Sequence, residues 1–258
     1  MNFETLILKK EDRIATLTLN RPDVLNAINR QTFDELVEAM TDMAQDSESR
    51  VLVITGAGRA FSAGGDRSMH PLNDWGGNVQ SATDILHRYY QGIILPLFNL
   101  DIPTIAMVNG VATGWGFDLA LACDMRLGSE NTRFMVAFTR VGLTPAAGGA
   151  WMLPRLVGLG KATEIILTAD FVEAEEAKQL GILNRVVPSS ELEKETMSLA
   201  KKISQNSPLS NRLTKLQLHQ GLNTDLATAL ELGATCQAIC QTSEYSMKTF
   251  TAFRKKGT

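Results

Sequence analysis

A chain of 258 residues, 44% hydrophobic and 21% charged, with a formal net charge of -3, has the size and balance of one large soluble fold. Two independent domains and a nucleic-acid partner are both disfavoured on those grounds. The opening MNFETLILKKEDR is too charged for a secretory signal and no apolar run approaches membrane-spanning length, so the chain reads as cytoplasmic, with no membrane partner.

In chain order, RIATLTLN alternates apolar and polar residues and stops at Asn20-Arg21-Pro22, which predicts a strand ending in a turn. Asn29 is placed to cap a helix from Arg30 to about Gln45, with Phe33, Leu36, Val37, Met40 and Met43 at helical spacing. VLVITG reads as a buried parallel strand. A glycine-rich stretch, a helix from about Ser81 to Asn99 and the strand TIAMVNG form a second cycle, and a helix from about Gly116 to Ala122 with the strand MRLGS forms a third. Repeated strand–helix–strand units imply an α/β class with right-handed βαβ crossovers. From Gly148 onward the pattern is nearly all helical, with a capping-box signature at Ser190 and Glu193 and a Ser207-Pro208 helix start. The chain divides into an α/β core, 1–190, and a tail, 191–258, expected to hold three helices with Leu213, Leu216, Leu226, Leu230, Met247, Phe250 and Phe253 on one face.

Two glycine-rich turns each follow an apolar strand: TGAGRAFSAGGD after VLVI, and NGVATGWGFD after TIAMV. Such turns point N–H groups at a ligand, and a pair of them at the ends of parallel strands suits one bound oxygen. Dinucleotide binding fits poorly, because Phe61 stands where the third glycine should be, and no Walker lysine appears. Ser62 and Ser68 lack a nucleophile elbow, and His70, His87 and His219 have nothing to unite them, so hydrolase and histidine–metal chemistry are disfavoured. Cys123, Cys236 and Cys240, an odd number in a domain that needs no staples, read as reduced thiols; Cys236 and Cys240 at i,i+4, with no histidine nearby, read as packing. No metal or redox cofactor is expected.

The segments LNRPDVLNAIN, VLVITGAGRAFSAGGD, IPTIAMVNGVATGWGFDLALACD, FMVAFTRVGLTPAAGG and LTADFVEAEEAKQLGILNRVV together resemble the crotonase, or enoyl-CoA hydratase/isomerase, superfamily over essentially the whole chain. FMVAFTRVGLTPAAGGAWMLPRLVG looks most like the phenylacetate-pathway ring-epoxide isomerases within it. The resemblance implies a crotonase-like spiral of ββα and βαβ turns with a C-terminal helical trimerisation region, a homotrimer or a hexamer built as a dimer of trimers, and an acyl-CoA thioester substrate. It carries the family's oxyanion hole onto the backbone N–H groups of Gly65 and Trp115, and CoA-binding backbone onto the segments around Ala27 and around Ala63, Asp66 and Arg67, with Asp66 more structural than catalytic. The basic FRKK at 253–256 could reach nucleotide phosphates, a solvated tail being the alternative.

Departures from the pattern shape the expected reaction. Of the family's carboxylate positions only that of Asp118 is occupied; the hydratases' second glutamate falls on Phe138, and the acid of the G-L-x-P loop falls on Ala146. Phe138 and Ala146 beside a buried Asp118 are expected to raise its pKa. Trp115 stands where most members have glycine, so its indole either narrows the acyl pocket or packs into the subunit core. Double-bond isomerisation with Asp118 as a single proton shuttle is the leading expectation; hydration and non-catalytic acyl-CoA binding are the alternatives. Residues 68–80, with His70, Asp74 and Trp75, are expected to form part of the acyl pocket and could supply an extra acid or base.

Overall fold

A computed structural model of the chain describes residues 2–69 and 77–256, with 252–256 as backbone only. Val51 and Val53 of β3 (Val51–Gly56) pack to one side of their sheet, and Leu52 and Ile54 to the other. Every residue of that strand is buried, the signature of a sheet covered on both faces. The main sheet runs β1 (Leu6–Glu11), β2 (Ile14–Leu19), β3, β5 (Thr104–Val108), β7 (Met125–Ser129) and β10 (Arg185–Val187). All neighbours are parallel except β1 and β2, a hairpin with Leu6 opposite Leu19.

After each of three main strands the chain bends back into a short strand of a second sheet, ordered β4 (Ala60–Ser62), β6 (Val111–Thr113), β8 (Arg133–Met135) and β9 (Val172–Glu173). This repeat is the spiral. None of these four strands was legible as a strand, because two or three residues are too few to display an alternating period. β1 and β10 were also unread.

Helix α1 (Arg30–Gln45) starts where the cap predicts, Asn29 Oδ1 accepting from the Thr32 N–H at 2.9 Å. The helix expected from Ser81 begins earlier, as α2 (Val79–Leu86) behind an Asn78 cap; it passes through a π-helical turn at His87–Gln91 and continues as α3 (Gly92–Phe98). α4 (Trp115–Ala122) follows the second glycine turn, and all its residues are buried. α5 (Gly149–Val157), α6 (Leu159–Thr168) and α7 (Ala174–Gln179) complete the first three-quarters of the chain.

Past residue 190 the described residues form four helices rather than the expected three: α8 (Leu192–Ser204), α9 (Pro208–Gly221), α10 (Leu226–Gln241) and α11 (Glu244–Lys256). Leu192 and Ala200 of α8 pack on Ile14, Val51, Val53, Ile105 and Leu127, so this helix covers the outer face of the main sheet. The Ser190–Glu193 capping box does not form. Residues Ser189–Glu191 make a tight 3-10 turn instead, which leaves α8 without a side-chain cap. Ser207 does cap α9, accepting from the Ser210 N–H. Asp124 anchors α9 to the core by holding Lys215 Nζ at 2.9 Å and His219 Nε2 at 3.3 Å. Among the described residues, no helix is long and apolar enough to cross a membrane.

Candidate active site

The two glycine turns meet. Thr113 Oγ1 donates to the Ala63 carbonyl at 2.7 Å, and a side chain on Gly64 would lie 2.6 Å from the Thr113 carbonyl oxygen and 3.6 Å from the Trp115 nitrogen. Gly64 also has φ +85°, so both its conformation and this close approach require glycine. A second pairing secures the first turn: Ala63 N–H donates to the Leu25 carbonyl, Ile28 N–H to the Gly64 carbonyl, and Asp66 N–H to the Ile28 carbonyl. The N–H groups of Gly65 and Trp115 are left without an acceptor among the described residues. The sequence-predicted Ala27, Ala63, Gly65, Asp66, Arg67 and Trp115 thus fall on three segments laced together, the 25–28 loop, the first glycine turn and the second.

Asp66 has structural partners. It receives Arg21 Nη1 at 2.7 Å and the Ser68 backbone and hydroxyl at 2.9 and 2.7 Å. Ser68 N–H, the Ser68 hydroxyl and Arg21 hold its carboxyl below the ordinary range against the opposing effect of burial. Arg67 is exposed and Ala27 buried, with the Ala27 carbonyl held by Arg21.

Trp115 opens α4, its indole 1% exposed and set edge-on against Phe33 with ring centroids 5.1 Å apart. The side chain has therefore taken the packing option, and only its backbone fronts the glycine loop. Three residues on, Asp118 lies on the same helix face, fully buried. Two structural roles can be set aside for it. Gly114 occupies the cap position, and the buried arginine of the region, Arg126, spends its donors on the carbonyls of Ala120, Leu121, Cys123 and Ile182.

Among the described residues, neither Asp118 oxygen has a hydrogen-bond partner. Burial pushes its pKa up to about 8, while the nearby amides of Gly149 and Ala147 pull the other way without reaching hydrogen-bond geometry. A buried carboxyl poised near neutrality can accept and return a proton.

The expected apolar wall is built differently from the sequence reading. Phe138 is buried, with its ring edge 3.8 Å from where a Gly114 side chain would begin, so it lines the turn at the head of α4. Ala146 is exposed; its neighbours Ala147 and Gly149 are the ones that face the carboxyl. Sequence reading missed Gly149 and also Tyr90, whose ring lies 6.3 Å from that of Trp115. The G-G pair at 148–149 was the available signal for the former. His70, Asp74 and Trp75 lie outside the described residues. His219 stacks on Phe98 and pairs with Asp124, and Ser62 donates to the Asn26 carbonyl. Among the described residues, no cluster of metal-ligating side chains occurs.

The comparisons with known proteins agree with this architecture. The chain is 36% identical to the short-chain-enoyl-CoA hydratase of Clostridium acetobutylicum, covering 99% of this chain and 97% of that one. It is 32% identical to the 1,2-epoxyphenylacetyl-CoA isomerase of Escherichia coli, covering 98% and 97%. Its fold matches the crystal structure of enoyl-CoA hydratase from Mycobacterium smegmatis with a TM-score of 0.90 at 30% identity, over 98% and 96% of the two chains. The pattern of one family spans residues 9–258, nearly the whole spiral and all of the helical tail, and the chain belongs to that family, enoyl-CoA hydratase/isomerase.

Proposed function

We propose that this protein binds a coenzyme A thioester and forms its enolate, with Asp118 as the one side chain that carries the proton. The observation behind this reading is the buried Asp118 carboxyl, unpartnered among the described residues, on the same face of α4 as Trp115, whose N–H stands beside the Gly65 loop. Two fixed N–H donors on the thioester oxygen would each stabilise the developing enolate by about 3–4 kcal/mol, and the positive end of α4 adds to them. Ala27, Ala63, Asp66 and Arg67 would hold the CoA portion, and Phe138 would wall the acyl group. The chemistry needs no metal or redox cofactor. The free state of Cys123, Cys236 and Cys240 supports a cytoplasmic location.

Double-bond migration is the reaction this geometry supports most simply: Asp118 takes a proton at one carbon and returns it at another. Hydration is the second reading, and the relatives' names back it better than migration, since both the Clostridium acetobutylicum relative and a 34% identical relative in Syntrophomonas wolfei are named hydratases. Incubation with crotonyl-CoA and with a 3-enoyl-CoA separates them. Addition of water to the former assigns hydration, migration in the latter assigns isomerisation, and binding without turnover leaves an acyl-CoA-binding protein and refutes the enzyme reading.

A further inference from the structure

Among the described residues, the proposed site has one buried acid and, where a second would stand, Phe138. Tyr90 approaches it from another element. The π-helical turn at His87–Gln91 carries an extra residue, which re-aims consecutive side chains, and such turns recur at functional sites. Tyr89 points toward α1: it is buried, stacks on Phe33 at 5.0 Å, and its hydroxyl donates to Asp34 at 3.0 Å. Tyr90 is half-buried and sets its ring against Trp115.

A chain of contacts joins Tyr90 to Asp118, through Trp115 on one side and through Ile94, Gly148 and Gly149 on the other. Trp115, which it touches, shares a face of α4 with Asp118. One turn after Tyr90, Ile94 approaches Gly148, its Cγ2 3.8 Å from where a side chain there would begin. The next residue, Gly149, rests on the Asp118 carboxyl. The carboxyl is close enough for its charge, together with the larger effect of burial, to raise the phenol above its ordinary value, so the hydroxyl stays a donor. Yet Asp118 receives no hydrogen bond among the described residues.

We infer that Tyr90 is a second catalytic residue, its phenol O–H donating to an oxygen held between it and the Asp118 carboxyl, either a water or a hydroxyl on the acyl chain. The inference rests on the acyl-CoA reading above and extends it to thioesters that carry or acquire a β-oxygen. In hydration the water oxygen bonds the β-carbon while the C=C electron pair moves into the enolate. The water proton passes to Asp118, which delivers it to the α-carbon. Tyr90 holds the oxygen and keeps its own proton, so one carboxyl suffices for an addition that Phe138 would otherwise leave half-equipped.

Calorimetry with butyryl-CoA and 3-hydroxybutyryl-CoA tests this on the intact protein and on Tyr90→Phe, which keeps the ring. The intact protein should bind the hydroxy compound about tenfold more tightly, the worth of one good hydrogen bond. Tyr90→Phe should erase that preference and leave butyryl-CoA affinity within about twofold. A preference that survives the substitution, a preference absent from the intact protein, or an equal loss for both ligands overturns the inference. The functional reading is tested separately by exchange of the butyryl-CoA α-protons in D2O. If Asp118→Asn leaves that exchange intact, the functional reading fails, and if neither thioester binds, both fail.

Discussion

Gly149 at the first turn of α5 leaves no room for a side chain, because the Asp118 carboxyl occupies the space where a Cβ would stand. The two residues are 31 positions apart, and their contact sets where the acid sits relative to the Gly65 and Trp115 amides. Gly149→Ala must displace the carboxyl. Turnover should fall by roughly 10²-fold, the usual cost of misplacing a reacting group by about 1 Å, with CoA-thioester affinity nearly unchanged. Steady-state rates and calorimetric affinity on the same variant check this, and an unaltered kcat would show that the position of Asp118 does not govern the reaction.

Asp118→Asn keeps the shape and removes the base. A loss of roughly 10²–10⁴ in turnover is expected, with thioester affinity preserved. Because burial raises the Asp118 pKa from an unfolded value of 3.8 to about 8, the folded state holds an extra proton between those limits, and stability declines as pH rises through that window and levels off above it. The Asn variant lacks this decline, so its melting temperature should gain on the parent from about pH 4 to about pH 8. Parallel pH–melting curves would disprove the buried-carboxyl account.

The same pKa dictates the rate profile. If the carboxylate is the form that starts the reaction, kcat/KM in the free enzyme should climb with pH and flatten above about 8, and Asp118→Asn should lose that limb. A profile that falls across this range would assign the opening step to the protonated acid.

Asp124 holds Lys215, His219 and the Thr104 backbone and hydroxyl, tying α9 to the main sheet. Burial opposes its charge, but His219 and Lys215 outweigh that and keep its pKa below the ordinary 3.8. This contribution is therefore full above about pH 4 and is lost as pH falls through the lower folded value. Asp124→Asn strands the Lys215 charge and should cost about 3–5 kcal/mol in denaturant unfolding. A cost under about 1 kcal/mol would mean that the cluster is solvated.

A trimer, or two trimers paired, is proposed from the helical tail, where Leu226, Leu230 and Phe250 are 74%, 64% and 65% exposed. Light scattering should find one of those assemblies at micromolar concentration, and Leu230→Glu should weaken it. A stable monomer of the parent protein would remove the proposal.

Local chemistry and periodicity were enough for several elements. Asn29 caps α1 because a side-chain oxygen three residues before an amide needs only its own turn, and VLVITG declares a two-sided buried strand by composition alone. The two glycine turns were visible for the same reason, each being a run of residues whose backbone demands appear in the sequence itself. Only the tertiary structure decided what they face. The spiral laces Gly64 to Thr113, presses Gly149 onto Asp118 and brings Tyr90 to Trp115, contacts between residues 25 to 49 positions apart that no period encodes. It also sent the Trp115 indole into the core beside Phe33 and turned Arg126 toward helix carbonyls. Asp118 is left buried without a partner among the described residues, because desolvation and pairing belong to the packed molecule, while the sequence determines only that a carboxyl stands at that position.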